Sequence, residues 1–267
     1  MKRLFILTIG ITLCSFGQSA PSPYSLNWKN DGWLLGTSAV AGLGAFVIET
    51  NLPALPLSEL RSLDKNAINP IDRITAGVYR ENQSTASDVL VGISIASPIG
   101  FLIDKDFQRD FFILATMYAE TEALSAILPS LGKGTAKRIR PYVYSASTPL
   151  ELRTEPDAQR SFFSRHTTFA FSTAVLTSIV YSDYYPSSRY RSYVWIGTLG
   201  LASSVAVLRV TSGAHFISDV VVGAAVGSAI GYIIPYIHRT AASSSATMSV
   251  APLLSPPVNG ISISVRF

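Results

Sequence analysis

Six apolar stretches punctuate this chain, at residues 32–49, 87–103, 110–128, 166–183, 193–210 and 215–237. Each is apolar on nearly every face and runs 17 to 23 residues. That is the length an α-helix needs to cross a bilayer. The stretches at 87–103 and 110–128 carry an Asp in or near the first turn, where the positive end of a helix favours it. Between the first two stretches, residues 51–86 hold three prolines and mixed charges, and predict a long surface segment. Residues 129–165 predict a long polar, basic connection, and 241–246 ("AASSSA") a linker. At the end of the chain Ile261, Ile263, Val265 and Phe267 alternate with Ser262, Ser264 and Arg266. With Asn259-Gly260 before it, that alternation predicts a strand forming half of a small hairpin.

The expected fold class is therefore all-α: a bundle of five to six long apolar helices, transmembrane, with a site at one end and a short C-terminal β-strand or hairpin. The expected divisions are a leader at 1–20, an N-terminal region at 21–86 with one apolar helix and a long surface segment, a helical core at 87–238, and a linker plus β tail at 239–267.

Composition sharpens this picture. Hydrophobic residues make up 48% and charged residues 14% of the 267, and mean hydropathy is +0.33. Soluble domains carry about 25% charged residues, so insertion into a membrane is favoured over a soluble or peripheral bundle. Glu49, Glu120, Glu122 and Asp183 lie in or beside the apolar stretches, where ionisable groups are costly. Polar contacts between helices are the expected role of Glu120 and Glu122.

Residues 1–20 read as a secretory leader: Lys2 and Arg3, then "LFILTIGITLCSF", then small residues up to Ala20. Without them Lys+Arg falls from 21 to 19 against 17 Asp+Glu, a net charge of only +2. No basic stripe is interleaved with aromatics either, so a nucleic-acid partner is excluded. The single cysteine, Cys14, lies in the leader behind Leu13, which does not suit lipid attachment. Disulfides and thiolate chemistry are excluded for the rest of the chain. Leader removal would leave the new N-terminus outside, and six spans would then carry residue 133 inside. If the polar connections at 129–165 and 211–214 face outside instead, one stretch cannot span. The short, Gly-rich 32–49 is the expected exception.

The candidate chemistry sits at the ends of these helices. Lys133 precedes Arg140-Pro141; Ser164-Arg165-His166 opens the fourth stretch; Arg209, His215 and Asp219 bracket the turn into the sixth. In an up-and-down bundle these four ends share one side. Lys133, Arg140 and Arg209 would surround one point with positive charge, and arginine forks fit phosphate oxygens. Ser164 adds a hydroxyl, and the helix N-termini add backbone N–H groups. His215 and Asp219, four apart, share a helix face. The carboxylate would then orient the ring and leave its other nitrogen free as a nucleophile. His166 would be the general acid. Three cations disfavour a metal at this place, and no His-x-x-x-His or Glu-x-x-His spacing occurs. His238, beside Arg239 at the last helix end, is expected at the surface with no role.

"KGTAKRIRP" (133–141), "FSRH" (163–166) and "LRVTSGAHFISD" (208–219) together resemble the motifs of the type 2 phosphatidic acid phosphatase family, a superfamily that also holds bacterial acid phosphatases and vanadium haloperoxidases. The pattern departs at Phe163 for Pro, Arg165 for Gly and Leu208 for Ser. The resemblance implies that His215 forms a phosphohistidine, Asp219 orients it and His166 is the general acid. It also implies that Lys133, Arg140, Ser164, Arg165 and Arg209 hold the phosphoryl oxygens, with no metal and no cofactor. The expected protein is a membrane-bound phosphatase of the bacterial envelope with its site facing the periplasm. Its expected substrate is a phosphorylated lipid such as undecaprenyl diphosphate, phosphatidylglycerol phosphate, phosphatidic acid or lipid A. The alternatives are a soluble periplasmic acid phosphatase on small phosphoesters, a vanadate haloperoxidase and a non-catalytic scaffold.

Overall fold

A computed structural model describes residues 21–240, 247–255 and 258–266. The expected leader and the 241–246 linker lie outside the described residues. In chain order the helices are α1 (Trp28–Thr50), two short ones, α2 (Leu57–Ser62) and α3 (Pro70–Arg73), α4 (Glu81–Ala96), a short α5 (Lys105–Arg109), α6 (Phe111–Ala136), a short α7 (Leu150–Thr154), then α8 (Arg165–Tyr184), α9 (Arg191–Thr211) and α10 (Ile217–His238). The strands β1 (Thr247–Ser255) and β2 (Val258–Arg266) pair antiparallel. Asn259 and Gly260 lie inside β2, opposite Leu254 and Leu253, rather than at a turn.

The protein is an all-α bundle, as the apolar pattern predicts. Five helical stretches are long and apolar enough to cross a membrane: 28–50, 81–103, 111–144, 191–211 and 217–238. Their outward faces carry Trp33, Phe46, Ile93, Ile196, Val221 and Ile233, all exposed. A polar surface there would suit water; this one suits lipid. The stretch expected as the exception is long and apolar enough to span: α1 is a 23-residue helix capped by Asn27 and packed along α6.

The sixth long helix, α8, is not among the five. It runs through the middle, touching α4, α6, α9 and α10. Its neighbours shield it on most sides, so hydroxyl residues are tolerated where lipid would penalise them. Thr167, Thr168, Ser172, Thr173 and Ser178 are all buried. Ser172 accepts from Ser125 at 2.8 Å and Thr173 donates to Glu122 at 2.8 Å.

Against α8 lies the glycine ridge of α10. A Cβ on Gly223, Gly227 or Gly231 would stand 2.7, 2.4 and 2.4 Å from the carbonyl oxygens of Ser164, Thr168 and Ser172. Only a residue without a side chain permits two backbones that close. Gly213 closes the α9–α10 turn at φ +81°, its Cα against the Val78 carbonyl.

Gly227→Ala is expected to destabilise the fold by about 1–3 kcal/mol, as overpacking does. Gly197→Ala, with open space where its Cβ would go, is expected to cost nothing. Thermal unfolding of the two variants in detergent checks the contrast.

Candidate functional site

The long helices alternate in direction. The end of α6, the start of α8, the end of α9 and the start of α10 meet at one end of the bundle. The end of α1 joins them, since Arg165 bonds Glu49 and Ser130, the latter at 3.0 Å. So does the start of α4, through Arg80 and Ser212. The loops 51–80 and 137–164 close over this end.

His215 is fully buried in the turn before α10. Its Nδ1 lies 2.7 Å from the carbonyl oxygen of Ser161. A carbonyl only accepts, so Nδ1 carries the proton and Nε2 keeps its lone pair. Nε2 faces Arg140 Nη1 at 3.3 Å. Burial, and then the charges of Arg140, Lys133 and Arg209, hold the ring well below the ordinary imidazole range. The ring is therefore neutral, with a free nitrogen in a cationic surround.

Arg140 is fixed on both sides. It donates to the Ala214 carbonyl at 2.9 Å, and its fork takes Asp157 by Oδ1 and backbone oxygen, each at 2.9 Å. Burial would raise the Asp157 carboxyl, but Arg140 and Lys133 outweigh it and push it down to about 2. Lys133, buried, donates to the Arg160 carbonyl at 2.9 Å. Arg209 donates to Ser84, Ser87 and Asp88 at 3.2, 2.9 and 3.0 Å. His166 Nε2 stands 2.9 Å from the same Asp88 oxygen. About a third of the His166 side chain (31%) reaches solvent, yet burial and then Arg209, Arg140 and Lys133 hold this ring low as well.

The structure thus gathers Lys133, Arg140, His166, Arg209 and His215 around one place. Three other expected residues are used differently. Asp219 is 3.8 Å from His215 Nδ1, outside hydrogen-bond range. Its oxygens accept instead from Arg138, Ser161 and, at 2.9 Å, the Phe216 amide, which caps α10. It still acts on the ring indirectly, because the serine it grips is the one whose carbonyl holds Nδ1. Ser164 is the N-cap of α8 and accepts from the Thr167 hydroxyl at 2.9 Å. The Arg165 side chain turns to Glu49, leaving its backbone N–H at the α8 N-terminus.

Asp72, Asp88 and Asp157 escape sequence reasoning because no local spacing ties them to Arg138, His166 or Arg140. Asp72, fully buried in α3, takes Arg138 at 2.6 Å and the Ser218 amide and hydroxyl at 2.9 and 2.6 Å. Burial works against its charge, but these bonds and Asn69 outweigh it and lower its pKa. Arg138 spans Asp72 and Asp219 and stacks 4.4 Å over Phe216. His238 is not at the surface: it is buried beside Asp31 and Glu120 at the opposite end of α10. An apolar cavity of about 440 Å³, lined by Ile95, Phe107, Met117 and Leu176 among others, also lies away from the cationic cup.

The PAP2 superfamily model matches residues 111–243. All three motif segments fall inside that range. Among solved structures the chain is similar to the first transmembrane PAP2 type phosphatidylglycerolphosphate phosphatase from Bacillus subtilis, at 18% identity and a TM-score of 0.46 over 79% of this chain and 96% of that one. Comparison with curated proteins gives no match.

Asp72→Ala leaves Arg138 with one carboxylate fewer and strips the Ser218 amide of its acceptor. Breaking a buried pair costs about 3–5 kcal/mol. Arg138 is a quarter exposed (25%), so the low end of that range is expected in denaturant unfolding.

Proposed function

We propose that this protein is a metal-independent membrane phosphatase that transfers a phosphoryl group to His215 and then to water. The observation that carries the reading is the neutral imidazole itself. Its proton is held on Nδ1 by the Ser161 carbonyl, and Nε2 stands 3.3 Å from Arg140. A nucleophilic ring needs that tautomer, and a phosphate dianion needs that surround.

Lys133, Arg140 and Arg209 take the phosphoryl oxygens, helped by the backbone N–H groups opening α8. His215 Nε2 attacks phosphorus as the P–O bond to the leaving group breaks. The leaving oxygen takes a proton from His166. His166 then accepts a proton from water as that water attacks the phosphohistidine, releasing phosphate and the neutral His215 ring. Asp219 contributes by fixing Ser161. Asp88 steadies His166 and Arg209. The cations that keep both imidazoles low are partly neutralised by a bound dianion, so substrate binding favours a protonated His166.

A lipid phosphate is the substrate class that suits an apolar bundle whose polar cup opens at one end. Which headgroup it bears is the finer question for a panel of undecaprenyl diphosphate, phosphatidylglycerol phosphate, phosphatidic acid and lipid A. Phosphate release from the panel is expected to exceed release from soluble phosphoesters. The reverse order would favour a soluble-substrate acid phosphatase, and halide oxidation with added vanadate would favour a haloperoxidase.

His215→Ala is expected to lower turnover at least about 10³-fold and to abolish an acid-labile phosphoprotein trapped by rapid quench. A phosphoprotein that survives the substitution sinks the reading. Because the His215 pKa is lowered, the ring stays neutral below pH 6.5. The acid limb of kcat/KM due to this ring is therefore expected below that value, which a pH–rate profile checks.

The cup is proposed to face the periplasm. Residue 27 and the cup lie at opposite ends of the bundle, so a periplasmic cup requires α1 to begin on the inner side. Removal of residues 1–20 to the outside would put the cup inside instead. Single cysteines at exposed Ser147 and Ser187, in a Cys14→Ser background, mark the two ends. An impermeant maleimide is expected to label position 147 in intact cells and not position 187.

A further inference from the structure

At the end of the bundle away from the cup, three helices bring ionisable groups into one buried cluster. Asp31 comes from the first turn of α1, Glu120 from α6 and His238 from the last turn of α10. The 22 residues of α10 put about 33 Å between its two ends. Residue exposures are 5%, 0% and 2%. One donor atom from each lies within 4.8 Å of the others.

The polar atoms of this cluster are unsatisfied. Asp31 Oδ2, both Glu120 carboxylate oxygens and His238 Nε2 have no hydrogen-bond partner among the described residues. Buried polar atoms are seldom left so, and two buried carboxylates are costly without a compensating charge. Among the described residues no lysine or arginine enters the cluster: Arg239 turns to Asp183 at 3.0 Å.

The imidazole is arranged as a ligand. His238 Nδ1 lies 2.8 Å from the Ile234 carbonyl. That fixes the proton on Nδ1 and points the Nε2 lone pair at the carboxylates, as second-shell bonds do for metal-bound histidine. Nε2 stands 3.3 Å from Asp31 Oδ1 and 3.3 Å from Glu120 Oε2. Donors about 2.0–2.1 Å from a tetrahedral ion are about 3.3 Å apart along each edge. Two carboxylates and a neutral imidazole sum to the charge a divalent ion cancels.

We propose that Asp31, Glu120 and His238 bind a divalent first-row transition-metal ion, of which zinc is the representative, and that it ties α1, α6 and α10 together. The site is structural and lies outside the phosphate cup, so the proposal stands independently of the function proposed above. Sequence spacing does not show it, because its ligands are 89 and 118 positions apart.

The test uses the full chain in detergent, stripped with EDTA, dialysed free of the chelator and titrated with Zn²⁺ by equilibrium dialysis. Wild-type protein is expected to bind one Zn²⁺ per chain at this site and to gain thermal stability from it. Glu120→Gln keeps the volume and removes the charge. It is expected to weaken that binding at least about tenfold and to lose the metal-dependent rise in Tm. Glu122→Gln, whose carboxylate meets Thr173 instead, is expected to change neither. Equal Zn²⁺ binding by wild type and Glu120→Gln overturns the proposal. So does a wild-type Tm that Zn²⁺ leaves unmoved, which would mark the cluster as a proton-sharing group of acids and imidazole.

Discussion

The closeness of α8 and α10 is the constraint from which the rest follows. Their backbones meet along three glycines because no side chain intervenes. That contact sets the two N-termini side by side. One of them carries His166, and the turn before the other carries His215. A single added methyl on the ridge would push the helices apart by a few tenths of an ångström or more. The ring and the cations it faces come from different segments, so the error would pass directly into the cup.

The acidic residues of the connecting loops complete what the helices begin. Arg140 would be a loose cation without Asp157 and the Ala214 carbonyl. Arg138 would be an unpaired charge without Asp72 and Asp219. Each of these two loop arginines is held by a carboxylate, while Lys133 and Arg209 come from α6 and α9. The arrangement has a chemical consequence for His215. Its base strength is low because it is buried first and surrounded by positive charge second, and that keeps a free lone pair available.

Much of this was legible from one sequence, for physical reasons. Apolar runs of bilayer length give helices, and the three motifs stand at helix ends whose convergence an up-and-down bundle demands. The glycine ridge also has a sequence signature, the four-residue spacing of Gly223, Gly227 and Gly231. What escaped was long-range pairing. Asp72, Asp88 and Asp157 carry no local spacing that announces Arg138, His166 or Arg140. Asp219 shows the converse error: four residues from His215 on a helix face, it is near enough to suggest a direct bond. Yet the ring turns to the Ser161 carbonyl, which lies 54 positions back in the chain. His238 was misplaced because its neighbour Arg239 looks like a surface residue, whereas the side chain itself points back into the bundle.

The hydroxyl-rich character of α8 bears on how such a chain enters a bilayer at all. A segment lined with threonine and serine partitions poorly by itself, because lipid offers its hydroxyls nothing to bond. Its partners Ser125, Glu122 and Thr198 sit on helices made before and after it. Burial of α8 in a bilayer thus depends on adjoining helices that shelter its hydroxyls. The polarity that serves the centre of the bundle makes that same helix the long one least suited to enter lipid by itself.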